Sequence, residues 1–219
     1  MEQKGDTMIR ILCYGDSNTW GYIPGSDHLR YNNKTRWTRI LSKKLGRSYE
    51  IIEEGLNSRT LISNDPRPGK EGKSGYDYLI PCLDSQDPID LVILMLGTNE
   101  LKHTNNKTPE EIGEILEEKF VKVILNRKSQ ISNTYPKLLI VTPPLVNEDA
   151  DSETKKKYLD ATEKSHKLND IYKEVALRNN CFFLDNEGLT PGIDGIHLSE
   201  EKHKLLASKL YKKIKDIYK

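Results

Sequence analysis

The sequence predicts an α/β fold with a five-stranded parallel sheet covered by helices, and three observations carry that prediction. Five apolar runs of strand length, Ile9–Tyr14, Tyr49–Glu53, Leu91–Leu96, Leu138–Thr142 and Cys181–Asp185, are spread along the 219 residues. The runs are near-continuous rather than alternating in polarity, the pattern of strands buried on both faces. Between them lie segments whose apolar residues recur at helical spacing, and such alternation is the mark of βαβ units. The length suits a single domain, 1–219, in which the polar start, residues 1–7, is expected to be a flexible extension.

Each element has its own local signal. After the first run and the irregular stretch Gly21–Lys34, residues Trp37, Ile40, Leu41 and Leu45 form one helical stripe, and Gly46 follows as a stop. The second run leads into Asn57–Lys73, rich in Pro, Gly and charge. Long irregular stretches just after strand ends are often functional loops. Thr108-Pro109-Glu110-Glu111 reads as an N-cap, a proline in the first helical position and a capping-box glutamate. The stripe Ile112, Ile115, Leu116, Phe120, Val123 and Ile124 continues that helix, and Leu168, Ile171, Tyr172 and Val175 mark the next. Ser199 can cap a last helix with apolar positions Leu206, Leu210, Ile214 and Ile217, its lysines forming a solvated face.

Composition narrows the function classes. Lys+Arg is 34 and Asp+Glu is 33, a net charge of +1 that gives no field to attract nucleic acid or an anionic membrane. The apolar fraction is 36%, but it is concentrated in the runs, which argues for a packed core. The run beginning at Met8 is broken by Arg10 and too short for a signal-peptide core, and nothing approaches the roughly 18 apolar residues of a membrane span. Cys13, Cys82 and Cys181 are odd in number and widely spaced, so a reduced, cytoplasmic setting is expected, with no structural zinc.

Ligands of parallel sheets bind outside the carboxyl ends of the strands. There the sequence places Gly15-Asp16-Ser17-Asn18-Thr19-Trp20-Gly21, then Glu54-Gly55-Leu56-Asn57-Ser58-Arg59-Thr60, then Gly97-Thr98-Asn99-Glu100, and last Asp194-Gly195-Ile196-His197. A hydroxyl, an amide, an imidazole and a carboxylate are thus collected at one sheet edge. A serine hydroxyl needs a base within hydrogen-bond reach to become a nucleophile, and imidazole suits that role at neutral pH. Ser17 with His197 as base and Asp194 as orienter would attack an acyl carbonyl. The side-chain amide of Asn99 and the N–H groups of Gly55 and Ser17 are donors for the developing oxyanion.

These four blocks resemble the SGNH-hydrolase, or GDSL, superfamily, in order and spacing over almost the whole chain. The detail of Asp16–Gly21, Glu53–Thr60, Pro88–Ile93, Met95–Asn99 and Asp194–His197 is similar to the bacterial arylesterase/acyltransferase branch. That resemblance implies a flavodoxin-like three-layer α/β/α fold, esterase activity on short acyl groups, acyl transfer to alcohols, no cofactor, and a homo-oligomer. It implies the same roles: Ser17 nucleophile, Asp194 and His197 its partners, and Ser17, Gly55 and Asn99 around the oxyanion. Asn18 stands where many GDSL enzymes have leucine, and Glu100 where aspartate is usual.

Plainer readings stand beside these. Gly-Asp-Ser alone is a turn with a helix cap, Asn99 an ordinary cap, Asp194 a turn former, and Gly55 a backbone permission. The four blocks together favour the catalytic reading. Asp16, Trp20 and Arg59 are candidates for the substrate pocket. The competing structural roles are a core position for Trp20 and, for Arg59, an ion pair with Asp65 or another acid on its loop. His28, His103, His166 and His203 have no clustered partners, and surface or packing roles are expected for them, with no metal site. The expected function is a cytoplasmic serine esterase acting on short-chain aryl or alkyl esters. The alternatives are an acetylesterase removing O-acetyl groups from carbohydrates and a catalytically silent ligand-binding module of the same fold. A nucleotide-binding domain is disfavoured, because no GxGxxG or P-loop follows the first strand.

Overall fold

A computed structural model describes residues 8–63, 68 and 71–219. Its centre is a five-stranded, all-parallel sheet of β1 (Ile9–Gly15), β2 (Tyr49–Gly55), β3 (Leu91–Met95), β4 (Lys137–Val141) and β5 (Phe182–Leu184), in the order β2-β1-β3-β4-β5. Each strand lies within a residue or two of its apolar run. The proposed flexible extension, residues 1–7, lies outside the described residues.

The period-2 geometry of strands divides the apolar side chains between two cores. Leu12, Tyr14, Val92, Leu94, Leu138 and Ile140 point to one face. There they meet α3 (Gly75–Ser85), α4 (Pro109–Leu116) with its continuation α5 (Lys122–Leu125), and α7 (Ala161–Arg178). Ile11, Cys13, Leu91, Ile93, Met95, Leu139 and Val141 point to the other. They pack on Trp37 and Leu41 of α2 (Trp37–Leu45) and on Leu206, Leu210 and Ile214 of α8 (Glu200–Ile217). Helices on both faces make the three-layer α/β/α arrangement.

Three local expectations need adjustment. Strand β2 is an edge, so only Ile51 of its seven residues is fully buried; its glutamates face solvent or arginines. Helix α3 carries an internal Pro81 and opens with a glycine, two breakers that hide it from a propensity reading, and Ser74 caps it by accepting from Asp77 N. The helix from Pro109 is not regular to its end: a π-helical segment, Glu117–Val121, separates α4 from α5. The Thr108 capping box and the Ser199 cap form as the sequence predicts.

The short helices α1 (Ser17–Trp20) and α6 (Ser152–Lys157) complete the set. The strand order changes direction between β1 and β3, and the carboxyl end of β1 opens at that switch point, where parallel sheets form their crevices. None of the described helices is long and apolar enough to cross a membrane.

Candidate active site

The turn after β1 is forced by close packing. A side chain at Gly15 would place its Cβ 2.1 Å from Thr19 Oγ1 and 2.6 Å from the Met95 carbonyl oxygen. The chain therefore enters α1 directly, and the Asp16 carboxylate caps it by accepting from Asn18 N at 2.9 Å. Gly21, at φ 92°, ends α1 after one turn, its N–H donating to Ser17 O at 2.9 Å. Ser17 is thereby the first residue of the helix, 6% exposed at the sheet edge.

His197 arrives from the other end of the chain. The loop after β5 is closed by Gly192 N donating to His197 O at 2.6 Å, and Gly195 at φ 72° lets the turn lie flat on Asn147. Asp194 Oδ1 accepts from the N–H groups of Ile196 and His197 at 3.0 and 2.9 Å, while Oδ2 accepts from His197 Nδ1 at 2.7 Å. Burial alone would raise the Asp194 carboxyl, but the hydrogen bond and charge of His197 and these backbone donors outweigh it and hold it down at about 2. An ionised carboxylate only accepts, so Nδ1 carries the proton and Nε2 presents a lone pair. Nε2 lies 2.9 Å from Ser17 Oγ. The structure thus brings the three residues together as one hydrogen-bonded chain.

Two further strand ends converge on Ser17. Gly55 closes β2, and a Cβ there would lie 2.2 Å from Trp20 N and 2.7 Å from Thr19 C. Its φ is not positive, so the glycine serves close approach to α1 and not the backbone freedom that the sequence suggested. Beyond β3, Gly97 at φ 135° starts the 3₁₀ turn Thr98–Leu101, and a Cβ there would lie 2.3 Å from the Tyr172 hydroxyl. Asn99 sits in this turn, 4% exposed, its Nδ2 donating to Arg59 O at 2.9 Å. A primary amide has two N–H groups, which leaves one for a substrate.

The three candidates for the pocket wall are placed differently. Asp16, 1% exposed, lies under α1 as its cap, and burial raises its carboxyl against the pull of Asn18 N. Arg59, 2% exposed, turns inward: Nη1 donates to Gly15 O at 2.9 Å and to Glu54 O, and the guanidinium lies 4.2 Å over the Tyr14 ring. It ties the ends of β1 and β2 together and also borders the hollow beside Gly55, and its proposed partner Asp65 lies outside the described residues. Trp20 is half-buried rather than in the core, with Arg30 stacked 5.1 Å above it and donating from Nε to its carbonyl at 2.7 Å. An open hollow of about 400 Å³ lies beside Gly55, lined by Glu54, Leu56, Asp77 and Tyr78.

Several neighbours of the site were given no part in the chemistry by the sequence. The side chain of Asn18 brackets the base: Nδ2 donates to Ile196 O at 3.3 Å and Oδ1 accepts from Leu198 N at 2.9 Å. Tyr22 stacks on the His197 ring. Glu100, buried behind Asn99, accepts from Leu61 N at 2.6 Å. His203 is a packing histidine, fully buried on α8; burial first, and Arg36 next, push its imidazole down to about 3. Among the described residues no three His, Cys, Asp or Glu side chains gather as metal ligands do.

Comparison with known proteins identifies the family. The GDSL-like lipase/acylhydrolase family matches residues 13–205, and the chain belongs to that family, the SGNH hydrolases. It is a carboxylic ester hydrolase. Among similar solved structures is Est24, a carbohydrate acetylesterase from Sinorhizobium meliloti, 37% identical, with a TM-score of 0.89 over 95% of this chain and 99% of that one. The aryl esterase of M. smegmatis is 34% identical, with a TM-score of 0.87 over 95% and 99%. A second carbohydrate acetylesterase family member from Sinorhizobium meliloti is 32% identical, with a TM-score of 0.87 over 94% and 97%. No curated protein sequence matches the chain significantly.

Proposed function

We propose that this enzyme hydrolyses short-chain carboxylic esters through an acyl-enzyme on Ser17. The observation that carries the reading is the chain of contacts from Ser17 Oγ to His197 Nε2, 2.9 Å, and from His197 Nδ1 to Asp194 Oδ2, 2.7 Å. As Ser17 Oγ attacks the ester carbonyl carbon, its proton passes to Nε2, and the ionised Asp194 stabilises the imidazolium. The carbonyl oxygen becomes an oxyanion that receives the N–H groups of Ser17 and Gly55 and the free amide hydrogen of Asn99. Collapse breaks the ester C–O bond, and Nε2 returns the proton to the departing alkoxide or phenoxide. A water then attacks the acyl-enzyme with His197 again as base, releasing the acid and restoring Ser17.

Acetyl and propionyl esters are the proposed substrates, with Trp20, three residues after Ser17, proposed to narrow the approach to it. A small alcohol replacing water in the second half gives ester exchange, so acyl transfer is part of the proposal. Similar structures are named for carbohydrate acetylesterases and for aryl esterases alike, which supports removal of O-acetyl groups from carbohydrates as the second reading. The same acetyl-enzyme serves both. A single domain and a homo-oligomer in the cytoplasm complete the proposal; the free thiols of Cys13, Cys82 and Cys181 support the reducing compartment. The test is a panel of aryl esters and acetylated sugars graded in acyl length, with wild type and Ser17→Ala. The expected result is the highest kcat/KM on acetyl and propionyl esters and none of it in the variant. Benzyl alcohol added to an aryl acetate reaction should yield benzyl acetate. Preference for long acyl chains would overturn the narrow pocket, and acetic acid as sole product would overturn the transfer.

A further inference from the structure

The stretch Gly21–Lys34 between α1 and α2 is irregular, yet it makes several contacts with the loop that carries Asp194 and His197. The Tyr22 ring lies on the His197 ring with centroids 4.3 Å apart and planes 25° from parallel. Three residues later, Gly25 N donates to Asp194 Oδ2 at 3.2 Å, the same oxygen that receives His197 Nδ1. Pro24 lies against Gly192, where an added Cβ would come within 2.7 Å of the proline ring, and Ile193 lies against Gly25 at the same distance. The segment is itself fixed. Tyr22 N donates to Ser17 O at 3.0 Å, and the Tyr22 hydroxyl donates to Ser26 O at 2.8 Å and accepts from His28 N at 3.2 Å.

We propose that Tyr22 is a positioning residue for the general base, its ring fixing the plane of His197 and favouring the imidazolium that forms during each proton transfer. This rests on the reading of His197 as base. The hydrogen bond to Asp194 anchors one edge of the imidazole, but a single edge contact leaves the ring free to tilt about it. A second ring stacked on its face removes that freedom, and the electron-rich face of a phenol attracts a cation at this distance. The groups that act on His197 from the surrounding elements are Asp194 on its own loop, Asp16 ahead of α1, His203 on α8 and Tyr22. Burial keeps His203 neutral, so it adds no charge to the balance. The Tyr22 hydroxyl is bound within its own loop, so the ring and not the phenol oxygen addresses His197. His28 meets the Tyr22 ring edge-on at 6.0 Å, the contact of a supporting neighbour.

The test compares Tyr22→Leu, Tyr22→Phe and His197→Ala with wild type on an aryl acetate, with kcat and KM, the pH midpoint of kcat/KM and thermal midpoint all measured. Leucine keeps an apolar cover over His197 but removes the aromatic face; phenylalanine keeps the face and removes the hydroxyl. Tyr22→Leu should lower kcat by about tenfold with KM little changed, and lower the pH midpoint by roughly half a unit. Tyr22→Phe should restore both. Tyr22→Leu matching wild type in kcat and midpoint would overturn the proposal. So would Tyr22→Phe as impaired as Tyr22→Leu, since the hydroxyl's hold on its loop would then be what matters. The control separates the two levels: full activity in His197→Ala defeats the base assignment itself, whatever the Tyr22 variants do.

Discussion

Replacing Glu100 by glutamine should flatten the pH dependence of folding stability between pH 5 and pH 8. Glu100 is 1% exposed, and burial pushes its carboxyl up to about 8; the N–H groups of Leu61 and of Glu100 itself pull the other way, and nearby Asp16 adds to the rise. In the unfolded chain the same carboxyl titrates near its ordinary value of 4.5. Between those two values the folded state holds a proton that the unfolded state has lost, so stability falls as pH rises. Each pH unit costs about 1.4 kcal/mol, and a window of roughly 3.5 units amounts to on the order of 4–5 kcal/mol.

The buried Asp16 carboxyl, also raised, acts in the same direction but is present in both proteins, and the other groups act differently. Asp194 is held at about 2, so its contribution is complete across the window and is lost only as pH falls toward that value. His203, buried neutral, gives stability that rises with pH up to its unfolded value, but equally in both proteins. Glutamine keeps an oxygen for Leu61 N and carries no titrating proton. Urea unfolding followed by Trp20 and Trp37 fluorescence at pH 5, 6, 7 and 8 measures the effect. The wild-type curve should descend more steeply, leaving the variant more stable at pH 8 by roughly 2 kcal/mol or more. Parallel curves for the two proteins would refute the reasoning.

Further outcomes follow from the same contacts. Asn99→Ala should lower kcat by on the order of 10²–10³ with KM little changed, since an oxyanion bond strengthens in the transition state; kinetics scaled to the folded fraction check it. Gly55→Ala drives a Cβ into the backbone of Thr19 and Trp20, so both the thermal midpoint and kcat should drop, by about 1–3 kcal/mol in stability from denaturant curves. Asn18→Leu leaves Ile196 O and Leu198 N without their side-chain partner and should cost about 1–3 kcal/mol by the same assay. Dialysis against a chelator should leave esterase activity unchanged, because the proposed chemistry uses only protein groups; loss restored by a divalent ion would contradict it.

Much of this arrangement was legible in the amino-acid order. The central strands β1, β3 and β4 announce themselves because they must be apolar on both faces, and Gly15, Gly97 and Gly195 mark places where the chain turns against packed neighbours. Ser17 follows the end of β1 and Asp194 and His197 lie in the loop beyond β5, so the topology brings them to one edge of the sheet. What stayed hidden depends on side-chain direction. Arg59 reads as a pocket residue or an ion-pair partner on its loop, and its guanidinium also turns onto two carbonyls and the Tyr14 ring, a destination fixed by how β1 and β2 end side by side. Asn18 looks like a tolerated variation from leucine until its amide is seen to span both sides of His197. Tyr22 has no local pattern at all, because its partner is 175 residues further along the chain. Helix α3 was masked by Pro81, whose cost is offset by burial of Leu79, Cys82 and Leu83.

The central claim is that Ser17 carries the acyl group, and covalent labelling tests it most directly. A fluorophosphonate probe incubated with wild type, Ser17→Ala and His197→Ala, followed by intact mass and peptide mapping, should add one label to wild type, on the peptide containing Ser17. Ser17→Ala should take none, and His197→Ala should react far more slowly. A label on any other serine, or full esterase activity in the unlabelled Ser17→Ala protein, would contradict the account.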